Sequence, residues 1–201
     1  MRKKNQLRHF LTTVEKSVSD ILINLPRQRQ VQLDDIQLLR FWRNLDHVRS
    51  RMIFKDLISH DNQKTWFKNL NEDTSKYFIY SLGDEDIGLS SITKIDFANK
   101  TFEGGILCGN TNYFKHWINI WACIEIYNFA FFSLKLDKSY ASILEDNQSA
   151  IRLNKSIGYV KLKTIKSDIG RYVLSKECFL EHSKNIQKYL KRFKSNMEQD
   201  K

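Results

Sequence analysis

The sequence predicts one mixed α/β (α+β) domain, a central mixed β-sheet of about seven strands flanked by helices, with a C-terminal helical extension. Three observations predict it. A chain of 201 residues holds one real core and is short for two. Hydrophobic periodicity switches between strand and helix types in the order β, α, α, β, β, β, α, β, α, β, β. The middle strands are joined by connections too short for crossovers, which implies an antiparallel meander ahead of a β-α-β unit. Residues 1–19 read as a basic N-terminal extension, 20–177 as the domain, and 178–201 as a basic C-terminal helix or tail.

In chain order, residues 21–25 form a short β-type run. Residues 33–43 follow as a helix, with Ile36, Leu39 and Phe41/Trp42 near helical spacing behind the first-turn acids Asp34 and Asp35. A second helix is expected over 60–69, with Ser59 as N-cap and Trp66, Phe67 and Leu70 on its apolar side. Residues 77–82, 87–95 and 101–108 are β-type, separated by Gly83-Asp84-Glu85-Asp86 and by the turn-rich 96–100. Residues 115–134 make a long helix that is apolar on nearly all sides (Trp117, Ile120, Trp121, Ile124, Tyr127, Phe131), which requires a buried place between layers. Then come a strand over 139–144, a helix over 147–156, strands over 160–165 and 172–174, and a basic helix over 179–193.

Composition excludes several classes. Apolar and charged fractions of 41% and 28% are those of a soluble globular chain, not of a disordered or disulfide-stapled one. Cys108, Cys123 and Cys178 are odd in number and widely spaced, and the N-terminus carries no secretory pattern, so a reduced, cytoplasmic setting is expected. The apolar stretch 117–134 is interrupted by Asn119, Glu125, Asn128 and Ser133 and reads as a core helix, not a membrane span. The net charge is +10. Residues 1–20 hold five Lys/Arg against two Asp/Glu and residues 178–201 six against three, so six of the ten charges sit at the ends. Without a nucleic-acid motif these are solvated tails or weak attractors of anionic ligands. His9, His47, His60, His116 and His182 show no ligand spacing, so no metal is expected, and no G-x-S-x-G elbow is present.

The segment Ser142-Ile-Leu-Glu-Asp-Asn-Gln-Ser-Ala-Ile-Arg-Leu-Asn-Lys-Ser-Ile-Gly-Tyr159 takes a strand into Asn-x-x-Ala, a helix, and a closing Gly plus aromatic. It resembles the signature of the GCN5-related N-acetyltransferase (GNAT) family. Phe41-Trp-Arg-Asn44 and Phe102-Glu-Gly-Gly-Ile106 resemble the subgroup that N-acetylates 4-amino-4,6-dideoxy sugars in bacterial glycan pathways. The resemblance covers about residues 20–175. It implies the GNAT fold, acetyl-CoA as co-substrate, and a primary amine acceptor, that of a nucleotide-linked aminosugar.

By the same resemblance, a β-bulge splays two parallel strands, here those ending near Cys108 and Leu144, and the pantetheine arm lies in the gap along the backbone that follows Glu103, at Ile106, Leu107 and Cys108. The pyrophosphate sits on the N-terminus of the long helix, at Lys115, His116, Trp117, Ile118 and Asn119, with Lys115 and His116 adding positive charge. Glu103 is the candidate general base, or else a surface carboxylate on the sheet. Trp42, Arg43 and Asn44 line the acceptor pocket, with Arg43 on a nucleotide phosphate; Trp42 reads equally as core. Asn147 bonds the cofactor or caps its helix.

Two positions depart from the family pattern. The pyrophosphate loop Gln/Arg-x-x-Gly-x-Gly/Ala falls on Phe114, Trp117 and Asn119. Asn154 stands where many relatives carry a catalytic tyrosine that protonates the departing thiolate. These departures leave other readings open: a non-catalytic binding protein whose acyl-CoA groove is filled by Trp117, an acyltransferase fed by an acyl carrier protein, or an enzyme acting on protein N-termini. A homodimer is open as well.

Overall fold

The computed structural model describes residues 25–166 and 168–199, with side chains through residue 188. The basic extension over 1–19 and, Leu25 apart, the run expected over 21–25 lie outside the described residues. Among the described residues seven strands form one sheet: β1 (Pro26–Gln30), β2 (Lys76–Leu82), β3 (Glu85–Asp96), β4 (Thr101–Cys108), β5 (Lys138–Leu144), β6 (Val160–Lys166) and β7 (Ile169–Ser175). Their spatial order is β1-β2-β3-β4-β5-β7-β6, and of the adjacent pairs β4/β5 alone is parallel. The helices are α1 (Ile36–Asn44), the single turn α2 (Asp46–Arg49), α3 (His60–Lys68), α4 (Trp117–Asn128), α5 (Gln148–Ser156) and α6 (Lys176–Gln199).

Local chemistry accounts for most boundaries. Ser59 caps α3 by accepting from the Asn62 N–H at 3.1 Å, and Asn147 caps α5 by accepting from the Ala150 N–H at 3.2 Å. The long apolar helix begins at Trp117, after the left-handed residue Lys115 (φ 62°), not at 115. Past Asn128 it widens into the turn Phe129–Ser133, where the Leu134 N–H bonds back to Phe129 O at 3.0 Å. It lies between the sheet and α6, whose Phe179 is fully buried against Tyr127 and Phe131. The C-terminal helix is thus packed on the domain through Phe179 and Ile186, with Ser183 buried beside them. Among the described residues no helix is long and apolar enough to cross a membrane.

Strand register divides the sheet into two faces. One carries Phe78, Tyr80, Ile92, Phe102, Gly104, Ala141, Ile143, Tyr172 and Leu174, and α4, α5 and α6 cover it to make the main core. The other carries Tyr77, Ile79, Leu89 and Leu107 under α1, α2 and α3, where Trp42, Leu39 and Val48 fill a second core. Continued onto β4, β5 and β7, this second face presents Glu103, Tyr140, Ser142 and Arg171, all half-buried.

Gly104 is required by close approach. A Cβ there would lie 2.3 Å from the hydroxyl of Tyr127 and 2.7 Å from its Cζ. Tyr127 is buried and shares a 2.8 Å hydrogen bond with Tyr159, whose hydroxyl also bonds Ser139. Gly104→Ala is therefore expected to lower stability by about 1–3 kcal/mol, read from the urea midpoint, by forcing the phenol out of this hydroxyl chain.

Candidate active site

The parallel strands β4 and β5 pair at Thr101↔Lys138, Phe102↔Ser139 and Glu103↔Tyr140, and nowhere beyond. β4 runs on to Cys108 and β5 to Leu144, so past Glu103 the strands part and leave a wedge whose β4 side has no ladder partner among the described residues. The register irregularity lies elsewhere than the resemblance implied. β4 stays in continuous register with β3 from Glu103 to Cys108, and the bulge falls on β3 between Thr93 and Asp96, at Lys94 (φ 49°). The strands part without a bulge in β4.

At the crotch of the wedge sits Glu103, its side chain 19% exposed. Oε1 accepts from Arg171 Nη1 at 2.6 Å, and Oε2 lies 3.0 Å from Lys94 Nζ. Arg171 reaches there from β7, across β5. The same Nη1 also donates to Ser142 Oγ at 2.8 Å, and the guanidinium stacks over the Tyr140 ring with its carbon 4.9 Å from the centroid. One carboxylate thus faces two cations on the half of the sheet that α1 and α3 leave uncovered, and the local balance is positive. Arg171, Lys94, Tyr140 and Ser142 carry no motif in the sequence, and the register of three strands is what assembles them.

Ile106 and Cys108 are half-buried and Leu107 is buried along the unpaired edge of β4. Leu107 O accepts from Tyr80 Oη at 3.2 Å, and Cys108 Sγ donates to Asn110 O at 3.2 Å. Burial pushes the Cys108 thiol upward, so it stays protonated.

The loop before α4 is knitted together by Asn119. Its Nδ2 donates to Tyr113 O at 2.6 Å and His116 O at 3.1 Å, and its Oδ1 accepts from Tyr80 Oη at 2.7 Å. An asparagine at a position the family gives to glycine is accounted for by these bonds. His116 is the N-cap, its Nδ1 accepting from the Ile118 N–H at a long 3.4 Å. Ile118 is fully buried, and Trp117 packs against the cluster of Tyr80, Ile87, Ile118 and Ala122. Lys115 is exposed, and Phe114 sets its ring edge-to-face on His47, with centroids 4.9 Å apart. Among the described residues, His47 Nε2 is buried there without a hydrogen-bond partner.

The remaining residues are spread over other tasks. Trp42 is 4% exposed and lies flat on Gly109, where a Cβ would meet its ring atoms at 2.3 Å. Asn44 clamps the backbone of Ile58, donating to its carbonyl at 2.9 Å and accepting from its N–H at 2.8 Å. Arg43 is half-buried and bonded to no carboxylate or carbonyl among the described residues. Burial weakens its hold on the proton, an effect Tyr77 partly offsets. Besides capping α5, Asn147 donates to Arg51 O at 3.4 Å, while Arg51 Nη1 donates to Asp146 O at 3.3 Å, so the segment after α2 reaches the turn beyond β5. Asn154 donates its amide to Ala150 O at 2.8 Å within its own helix. Among the described residues no group of three His, Cys, Asp or Glu could hold a metal ion.

A family model described as acetyltransferase (GNAT) domain matches residues 28–160. Among solved structures, a domain from Methanocaldococcus jannaschii superimposes with a TM-score of 0.68 at 20% identity, over 76% of this chain and 99% of that one. A spermidine N-acetyltransferase from Vibrio cholerae, in complex with CoA and spermine, gives 0.71 at 16% identity over 77% and 98%. A dodecameric structure of that enzyme gives 0.63 at 15% identity over 79% and 98%. At these identities the likeness is one of fold. No curated protein matches the chain.

Proposed function

The chain belongs to the acetyltransferase (GNAT) domain family, and from that premise we propose that it carries acetyl from acetyl-CoA to a primary amine brought to Glu103 over the half of the sheet face that α1 and α3 do not cover. As a member of that family it is an acyltransferase with acetyl-CoA as donor. The observation that carries the site assignment is the wedge, because the unpaired edge of β4 after Glu103 offers backbone groups to an extended arm. The residues that would hold the arm are Ile106, Leu107 and Cys108. Lys115 and the N-terminus of α4 lie where an anionic end of the donor gains from the helix dipole.

Aminolysis of a thioester requires a neutral amine. Glu103 takes the proton in this reading, and Arg171, fixed by Ser142 and Tyr140, holds the carboxylate in place. No tyrosine acid is needed at Asn154, because a thiolate departs unaided at a rate cost of about 10²-fold.

For the acceptor, the charge at the site favours an amine carried on an anionic molecule, such as a nucleotide-linked aminosugar, over a polycation. Lys94 and Arg171 flank Glu103, so the charge around it is net positive. The test is thiol release from acetyl-CoA with uridine-diphosphate aminosugars, spermidine and short peptides as acceptors. The nucleotide-linked amine is expected to exceed spermidine in kcat/KM by about tenfold or more. Faster turnover of spermidine overturns the acceptor assignment, and no turnover of any amine overturns the reaction.

A further inference from the structure

We propose that Lys94 is a self-acetylation site, its ammonium occupying the amine subsite at Glu103 and taking the acetyl group when acetyl-CoA is bound without an acceptor. The proposal rests on the acetyltransferase reading above. It starts from chemistry: a lysine side chain ends in a primary alkylamine, the functional group that the reaction consumes. Its Nζ lies 3.0 Å from Glu103 Oε2, within reach of the proposed base.

The backbone supports the same assignment independently. Strand alternation from Thr93, which faces Glu103 in the ladder, would send Lys94 to the opposite face with Ile92, and Ile95 back to the face of Thr93. Instead the register breaks between Thr93 and Asp96, and Lys94 adopts φ 49°. The extra residue leaves Ile95 in the main core and turns Lys94 toward the carboxylate. Bulges re-aim side chains in this way beside active sites. The side chain itself is 72% exposed. Its ion pair is therefore weak, and an incoming acceptor can displace it.

The step balances as follows. The Lys94 ammonium gives one proton to Glu103 Oε2, and the Nζ lone pair attacks the thioester carbonyl carbon. The C–N bond forms, the C–S bond breaks, and the thiolate takes the second proton from nitrogen to leave as free CoA. The product amide is neutral, so Glu103 keeps Arg171 as its one cationic partner at the crotch.

The full chain is incubated with acetyl-CoA and no acceptor and followed by intact mass and peptide mapping, with calorimetry measuring acetyl-CoA binding in parallel. One acetyl group is expected on the peptide containing Lys94, at a first-order rate independent of protein concentration and about tenfold or more above that of other lysine peptides. Glu103→Gln, its fold monitored by circular dichroism, should slow this labelling about 10²-fold, and Lys94→Arg should abolish it. Label spread evenly over lysines and indifferent to Glu103→Gln overturns the proposal, as does an unmodified Lys94 in a protein that binds acetyl-CoA and acetylates free amines. Absence of acetyl-CoA binding overturns this proposal and the acetyltransferase reading together.

Discussion

Glu103→Gln is expected to lower kcat/KM for amine acetylation by about 10²–10⁴-fold, the range by which a positioned base accelerates proton transfer. Glutamine keeps the shape and an acceptor oxygen for Arg171 Nη1, which now lies 2.6 Å from Glu103 Oε1. What it loses is the capacity to take a proton from the amine. The substitution leaves the unpaired edge of β4 untouched, so acetyl-CoA affinity should stay within about threefold, a loss of transition-state stabilisation without a loss of donor binding. Steady-state kinetics with calorimetry separates the two. Unchanged kcat/KM would assign Glu103 to the ion-pair scaffold and move the base elsewhere. A matched fall in affinity would show that the carboxylate positions the donor.

Phe102→Ala is expected to cost about 3–5 kcal/mol of folding free energy, the range for removing a buried aromatic ring. Phe102 is 1% exposed and meets Tyr127 and Phe131 at centroid separations of 5.8 and 5.3 Å. It points into the main core from β4, one residue before Glu103 and on the opposite face, at the middle of the three β4/β5 pairs. Set against a typical domain stability of about 5–15 kcal/mol, the loss unfolds a large fraction of the reserve. Chemical denaturation monitored by tryptophan fluorescence gives the value. A loss below about 1 kcal/mol would mean that β4 is not anchored from this side.

Much of the fold was legible because its residues announce their periods. The alternation over 77–82, 87–95 and 101–108, the Ser59 cap and the all-round apolar character of α4 each follow from local chemistry. β1 was not legible, since Pro26–Gln30 is a polar edge strand with no buried face to impose alternation. α2 is one turn, too short for a helical period to register. At the site, Glu103 stood out by resemblance. Its partners did not: Arg171 lies 68 positions away in sequence, and the two meet through the register of β4, β5 and β7. The bulge that turns Lys94 toward Glu103 is likewise a matter of pairing between strands, which no single segment encodes. Asn119, read as a departure from a phosphate-binding glycine, is explained by the carbonyls and phenol it joins.

In the proposed reading the parting of β4 from β5 gives the donor its place, and a crystal structure of the full chain with acetyl-CoA measures that. Density for an extended pantetheine arm should run between residues 104–108 and 141–144, with the thioester ending beside Glu103. Donor bound outside that wedge, or β4 and β5 laddered through to their ends with the donor present, would contradict it.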